Sequence, residues 1–352
     1  MDHTRWMHRC LQLARNASGR TAPNPMVGAV LVQGARVLAE GWHHRAGAPH
    51  AEADLFRRSG DAPVPSDAIL YVNLEPCAHH GRTPPCADLL IARGVRHVVI
   101  GLRDPDPRVC GKGIERLRAA GVQVTLGVAE EECAWEQRRF LSGFRQQRPY
   151  VMLKWARSAD GFLDRHPRDG RLVQRISSPA TDVSVHRWRS EEQAILVGSR
   201  TVINDDPQLS VRHVSGPSPL RIVIDRQGVV PADSRIFDTS APTLLVTSAR
   251  RSDVHCEQIP LTGPADPIDV VLNELHQRQV RSLLVEGGAE LLGHFIRSDR
   301  WDEARVITGT AHFAQGTPAP QLPRPAQRSF ASGTDRIHFF TRTVAVDPTW
   351  YW

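Results

Sequence analysis

What this 352-residue chain most clearly lacks is a long apolar run. A helix that spans a bilayer needs about 20 consecutive apolar residues, and no stretch approaches that. The start, Met1-Asp2-His3-Thr4-Arg5, also lacks the charged-then-apolar layout of a signal peptide. These two absences make a cytoplasmic protein with no membrane partner the expectation. Cysteine is scarce as well. Six in this length, two of them taken up by the cluster described below, argue against a disulfide framework and for a reducing compartment. Cys10, Cys110, Cys133 and Cys256 then read as unpaired thiols. Blocks of like charge are missing too. A formal charge of +6 invites nucleic acid, but the basic residues are scattered and no basic stripe is interleaved with aromatics, so no nucleic-acid partner is expected.

What is present is a concentrated set of soft and borderline metal donors. His50-Ala51-Glu52 is followed by Pro76-Cys77 and, after eight intervening residues, by Cys86. Zn²⁺ takes imidazole nitrogen and thiolate in a tetrahedral shell, and three protein ligands leave a fourth position for water, whose pKa falls to about 7. Glu52 beside the imidazole is placed to move a proton between that water and a leaving amine. A structural zinc would close its shell with a fourth ligand, for which Cys110, Cys133 and His79 are candidates. The order His-x-Glu, then Pro-Cys and a second Cys, is the signature of zinc-dependent nucleobase deaminases.

Length exceeds one ordinary core and suits two domains. The first half alternates helix and strand. A helix is expected from Asp2 to Asn16, strands at Val27–Val32 and Arg36–Glu40, and a helix that starts after Pro49 and carries His50 and Glu52 in its first turn. A strand at Ile69–Val72 and a helix opened by Cys86 follow. Next come a strand at His97–Ile100, a helix at Ile114–Ala120, a strand at Val122–Leu126 and one charged helix from Ala129 to Phe144. Helices covering both faces of a mixed sheet are implied. Gln146-Gln147-Arg148-Pro149 is the expected boundary, which gives domains at 1–146 and 147–352. The second half starts again with a strand at Tyr150–Trp155 and continues as a second α/β domain, with a Pro-rich loop after Thr310 and a last strand at Ile337–Thr343. Val285-Glu286-Gly287-Gly288-Ala289-Glu290-Leu291 reads as strand, glycine turn and helix start, which suits a phosphate cradle or an ordinary packing turn.

The insert between the cysteines, Ala78-His79-His80-Gly81-Arg82-Thr83-Pro84-Pro85, is longer than the two residues of compact deaminases. It resembles the bifunctional deaminase/reductases of riboflavin biosynthesis. Pro23-Asn24-Pro25-Met26-Val27-Gly28, Gly41-Trp42-His43-His44, Asp104-Pro105-Asp106-Pro107 and Gly111-Lys112-Gly113 extend the likeness. Ser158-Ala159-Asp160-Gly161, His186-Arg187-Trp188-Arg189 and Thr201-Val202-Ile203-Asn204-Asp205-Asp206-Pro207 carry it into the second half.

The resemblance implies a cytidine-deaminase-like three-layer α/β/α domain followed by a dihydrofolate-reductase-like α/β domain. It implies one zinc per chain on His50, Cys77 and Cys86, Glu52 as the catalytic acid/base, and Asn24, His43, His79, Arg82 and Thr83 as deaminase substrate contacts. From the residues alone Asn24 reads as a turn residue and the insert as a solvated loop. For the reductase the resemblance implies NADPH held by Ala156, Arg175, Thr201, Asp205, Gly287 and Gly288. Lys154, Arg189, Leu209, Arg212 and Glu286 would hold a phosphoribosyl substrate, where two arginines suit one phosphate. It also implies a homo-oligomer, dimer or tetramer.

Three positions depart from the family pattern. Arg175 stands where many members have a cofactor-contacting Trp, and Val173 and Arg226 replace serines. They keep a second reading open, a deaminase whose reductase half is a degenerate binding or oligomerisation domain.

Overall fold

The computed structural model describes residues 2–79, 84–168 and 174–343. Arg82, Thr83, Val173 and the terminal Trp350-Tyr351-Trp352 lie outside the described residues. The chain divides into two compact units, the first ending at Gln146 and the second beginning at Gln147.

The first unit runs α1 (His3–Arg15), β1 (Gly28–Gln33), β2 (Arg36–Trp42), α2 (Ala51–Ser59), β3 (Ile69–Leu74), α3 (Cys86–Ala92), β4 (His97–Leu102), α4 (Lys112–Ala119), β5 (Gln123–Leu126), α5 (Glu130–Glu136) and α6 (Arg138–Arg145). Its sheet has the order β2-β1-β3-β4-β5. The β1 pairings are antiparallel, and β3-β4 and β4-β5 are parallel. Because side chains alternate across a strand, its apolar runs feed two cores at once. Ala29, Leu31, Leu70 and Val98 pack with Leu55, Leu90 and Leu117 of α2, α3 and α4. Val30, Val32, Tyr71 and Val99 pack with Met7, Leu11, Cys133 and Leu141 of α1, α5 and α6. Three α/β/α layers result.

One expected element is corrected. The single helix from Ala129 to Phe144 is two, α5 and α6, because at Gln137 the backbone leaves the helical region (φ −87°, ψ 6°). The Gln137 amide is turned to the backbone of Met26, accepting from its N–H at 3.3 Å and donating to its carbonyl. Asn73 Nδ2 donates to the same carbonyl at 3.0 Å. The loop that carries Asn24 is thus clamped from the sheet and from the helix break.

Gly41 brings α2 onto β2. A Cβ at Gly41 would stand 2.3 Å from Leu55 N and 2.5 Å from Ala51 O, backbone atoms that cannot yield cheaply. Gly41→Ala is therefore expected to destabilise the first unit by about 1–3 kcal/mol through overpacking. The shift in a denaturant midpoint checks this, and an unchanged midpoint would contradict the close approach.

The second unit runs β6 (Tyr150–Arg157), α7 (Pro179–Glu191), β7 (Ala194–Gly198), α8 (Ser199–Asp205), β8 (Leu220–Ile224), β9 (Thr243–Thr247), β10 (Glu257–Pro260), α9 (Pro267–Gln277), β11 (Ser282–Val285), α10 (Ala289–Arg297), β12 (Glu303–Thr308), β13 (Arg328–Ser332) and β14 (Asp335–Thr341). The sheet order is β10-β9-β8-β7-β11-β6-β12-β14-β13. Pairing is parallel from β10 to β12 and antiparallel through β14 and β13. β7 leads through α8 to β8 on one side, whereas β11 leads through α10 to β12, beyond β6 on the other side. Adjacent parallel strands whose connections part in this way open a crevice at their carboxyl ends, the usual place for a ligand in such sheets. Among the described residues no helix is long and apolar enough to cross a membrane.

Candidate active site

In the first unit, His50 is the N-cap of α2, extended at φ −66° and ψ 164°, as N-cap residues usually are. Its Nδ1 lies 3.6 Å from Cys77 Sγ and 3.4 Å from Cys86 Sγ. The three donor atoms all fall within 4.8 Å of one another. A tetrahedral zinc with bonds of about 2.3 Å to sulfur and about 2.0–2.1 Å to nitrogen sets sulfur and nitrogen about 3.6 Å apart. Donor types and spacing therefore fit that ion.

Among the described residues no further His, Cys, Asp or Glu joins the cluster. Cys133 is buried in the core on the opposite face of the sheet, while Cys110 and His79 are exposed. A closed, four-ligand site is not formed among them.

Cys86 opens α3, and its backbone N–H donates to Cys77 Sγ at 3.3 Å, so a helix N-terminus faces the thiolate. A hydrogen bond from the Cys86 side chain holds the Cys77 thiol well below its ordinary range against the effect of burial, with His50 adding to the pull. The Cys77 contact in turn raises the His50 imidazole.

Glu52, in the first turn of α2, is 3% exposed. Burial first, then the negative charge of Cys77, lifts its carboxyl above the ordinary range. His43 is also buried, and burial lowers its pKa. Its Nδ1 lies 3.0 Å from Pro49 O and its Nε2 lies 3.2 Å from Asn24 Nδ2. A carbonyl only accepts and an amide NH₂ only donates, which makes Nδ1 the protonated nitrogen. The His43 ring stands edge-on to His50 with centroids 5.5 Å apart. Asn24, His43, His50 and Glu52 thus come together, and His79 sits exposed at the end of the described stretch.

In the second unit, Glu286 follows β11 and gathers two cations. Arg189 Nε and Nη2 donate to Oε1 and Oε2 at 2.7 and 2.9 Å, and Lys154 Nζ donates to Oε2 at 3.3 Å. Burial alone would raise the Glu286 carboxyl, but Arg189 and then Lys154 hold it down at about 2. Arg212 is linked to the same group, because Arg189 Nη1 donates to Ser210 O at 3.4 Å and Arg212 Nη1 to Ser210 Oγ at 3.0 Å. The Leu209 side chain is 3% exposed and packs with Val202 and Val223 at a left-handed φ of 55°, so a contact from Leu209 would fall to its backbone.

The glycine turn and Thr201 meet at the crevice. A Cβ on Gly288 would stand 3.8 Å from Thr201 Oγ1. Among the described residues no side chain caps α10, a helix start whose first N–H groups suit an anion. Asp205 instead takes Arg168 Nη2 at 2.6 Å. Arg175 is exposed and paired with Asp182 of α7 at 2.9 Å. Ala156 lies half-buried on β6.

The sequence assigns no role to Arg168 or Glu75, and none to His186 beyond its place in the motif His186-Arg187-Trp188-Arg189. His186 is buried, and its Nδ1 accepts the Arg212 backbone N–H at 3.0 Å. Burial, then the charges of Arg189 and Arg212, lower it to about 4.

Acid should therefore weaken the second unit in two stages. An imidazole whose pKa drops from 6.5 to about 4 on folding contributes stability that is present above 6.5 and lost as pH falls toward 4. A carboxyl dropping from 4.5 to about 2 contributes stability lost from 4.5 down to 2. Denaturant midpoints across this range should fall steadily from pH 6.5 downward, and a midpoint flat to pH 4.5 would contradict the buried neutral imidazole.

Comparison with known proteins matches the two units separately. Residues 1–102 match the cytidine and deoxycytidylate deaminase zinc-binding region, and residues 149–318 match the RibD C-terminal domain. The Aquifex aeolicus riboflavin biosynthesis protein RibD is 36% identical over 88% of this chain and 88% of its own length. The Bacillus amyloliquefaciens protein of the same name is 34% identical over 97% and 93%. A crystal structure from Thermotoga maritima, a diaminohydroxyphosphoribosylaminopyrimidine deaminase/5-amino-6-(5-phosphoribosylamino)uracil reductase, superposes with a TM-score of 0.87. It has 33% identity and covers 96% of this chain and 98% of that one. Acinetobacter baumannii RibD gives 0.87 at 31% identity over 97% and 99%.

A zinc-deaminase region joined to a reductase domain defines a two-part enzyme, hydrolase in one part and oxidoreductase in the other. The chain belongs to the RibD family, the bifunctional deaminase/reductases of riboflavin biosynthesis. With both parts matched, the bifunctional reading is supported over a deaminase carrying a degenerate second half.

Proposed function

We propose that the first unit, to Gln146, hydrolyses the ring amino group of 2,5-diamino-6-(5-phosphoribosylamino)pyrimidin-4(3H)-one, and that the second reduces the ribosyl side chain of the resulting 5-amino-6-(5-phosphoribosylamino)uracil to ribityl with NADPH. The observation that carries the proposal is the three-donor cluster of His50, Cys77 and Cys86 beside the buried carboxylate of Glu52.

Zinc held by those donors would supply Lewis-acid activation of water. Glu52 takes one proton from the attacking water and delivers it to the ring nitrogen, then takes the second from the hydroxyl now on the ring carbon and gives it to the amine, which leaves as ammonia as the carbonyl forms. His43 presents a neutral ring whose tautomer is set by Pro49 O, Asn24 beside it orients the pyrimidine, and His79, Arg82 and Thr83 are the further substrate contacts that the family resemblance implies.

NADPH would supply the hydride for the second step. Thr201, Gly287 and Gly288 would hold its phosphates, and Ala156, Asp205 and Arg175 would complete the cofactor site. Arg212, Arg189 and the Leu209 backbone position the phosphoribosyl group. Lys154, held by Glu286, would give a proton to the imine nitrogen or carbonyl oxygen of the open-chain group as hydride adds to its carbon. The protein acts in the cytoplasm as a homo-oligomer, dimer or tetramer, on a small phosphorylated pyrimidine.

Mass analysis of the products tests this. With the diaminopyrimidine ribotide alone, the amino group should be exchanged for oxygen and the reaction should stop there. Adding NADPH should add two hydrogens. Metal chelation should block the first change and spare the second when the deaminated compound is supplied. A product reduced without loss of the amino group would overturn the order of steps.

A further inference from the structure

Glu75 ends the stretch after β3, two residues before Cys77, and the chemistry above makes no use of it. Its side chain is buried at 4% exposure. Oε2 accepts the backbone N–H groups of Asp104 at 3.3 Å and Gly111 at 3.0 Å. Oε1 accepts those of Gly113 at 3.0 Å and Ile114 at 3.3 Å. All four amides belong to segment 104–114, which includes the first turn of α4.

That segment presses on the turn that presents Cys77. A Cβ on Gly113 would stand 2.0 Å from Pro76 O, which only glycine permits. The turn is gripped from the other side by α3, since Cys86 N–H donates to Cys77 Sγ and Ala87 N–H to Cys77 O at 3.1 Å. The segment is shaped by its own bonds, with Asp106 N–H to Asp104 Oδ1 at 2.8 Å and Arg108 Nε to Asp106 at 3.0 Å. What fixes it beneath Pro76 is the Glu75 carboxylate.

We propose that Glu75 is a positioning residue for the metal ligand Cys77. Its two oxygens lock segment 104–114 as a platform under Pro76 and so set Cys77 Sγ where it can share an ion with His50 Nδ1 and Cys86 Sγ. The inference rests on reading those three residues as metal ligands. A carboxylate suits the task because four N–H donors converge on two acceptor atoms, and charge strengthens each bond. In an isosteric glutamine one of the two atoms becomes an NH₂ group, which faces two N–H donors and can accept from neither.

The test is a cobalt(II) titration of the full chain, read by thiolate-to-cobalt absorption and followed by zinc competition. Wild type should bind one cobalt with thiolate bands. Glu75→Gln should keep its far-ultraviolet circular dichroism, bind cobalt and zinc roughly 10- to 100-fold more weakly, and show shifted bands, the scale expected when a partner of a ligand is lost. A variant that melts lower yet keeps wild-type affinity and bands overturns the inference. Wild type with no thiolate bands overturns the ligand reading instead. If the variant does not fold, hydrogen exchange on wild type decides. Coupling is reciprocal, so zinc should slow exchange of the 104–114 amides, and unchanged exchange there overturns the role.

Discussion

Glu52→Gln is expected to lower ammonia release by about 10²- to 10⁴-fold, the usual weight of a positioned acid/base, while metal content stays near that of wild type. The substitution keeps the shape of a side chain that is 3% exposed and leaves His50, Cys77 and Cys86 untouched. It removes the group that can both take and return a proton, because an amide does neither at neutral pH. Deamination needs both transfers, as water loses protons that the ring nitrogen and the departing amine gain. Ammonia assays alongside metal analysis check the prediction, and near-normal turnover in the variant would sink the assignment of Glu52.

The second large effect concerns Glu286. Glu286→Gln leaves Arg189 and Lys154, whose side chains are 12% and 14% exposed, without their counter-charge. Stranding buried cations typically costs about 3–5 kcal/mol, so the second unit should lose stability on that scale at neutral pH and NADPH oxidation should collapse. The acid-side loss between pH 4.5 and 2 should disappear with the carboxyl that produces it. Denaturant unfolding with and without the substitution measures both. A change well under about 1 kcal/mol would mean that the three groups are solvated and not a buried network.

The residues that were legible in the sequence are those whose chemistry is local. His50, Glu52, Cys77 and Cys86 announce themselves by type and spacing, and apolar runs such as Val27–Val32 and Tyr150–Trp155 announce buried strands. The strand Glu303–Thr308 did not, because it opens with a charged pair. Glu303 and Arg305 are 0% and 2% exposed and tolerate burial by pairing at 2.7 Å, with Tyr150 OH donating to Glu303 and the Arg305 guanidinium over the Trp188 ring. The break at Gln137 was equally hidden, since its cause is a bond to Met26, 111 residues away. The same holds for Glu75, whose partners begin 29 residues later. At Arg175 the sequence shows a departure from the family's Trp, and the structure adds what composition cannot, an exposed ion pair with Asp182.

The central claim is that one chain deaminates and then reduces the same molecule. Its most direct test follows ammonia and NADPH together in one tube, starting from metal-loaded protein and the diaminopyrimidine ribotide. Ammonia should appear first and NADPH oxidation should follow with a lag. With Glu52→Gln both signals should be lost, and adding the deaminated compound should restore only NADPH oxidation. NADPH consumption that runs at full rate in Glu52→Gln on the undeaminated compound, or ammonia release by wild type with no NADPH consumed, would contradict the account.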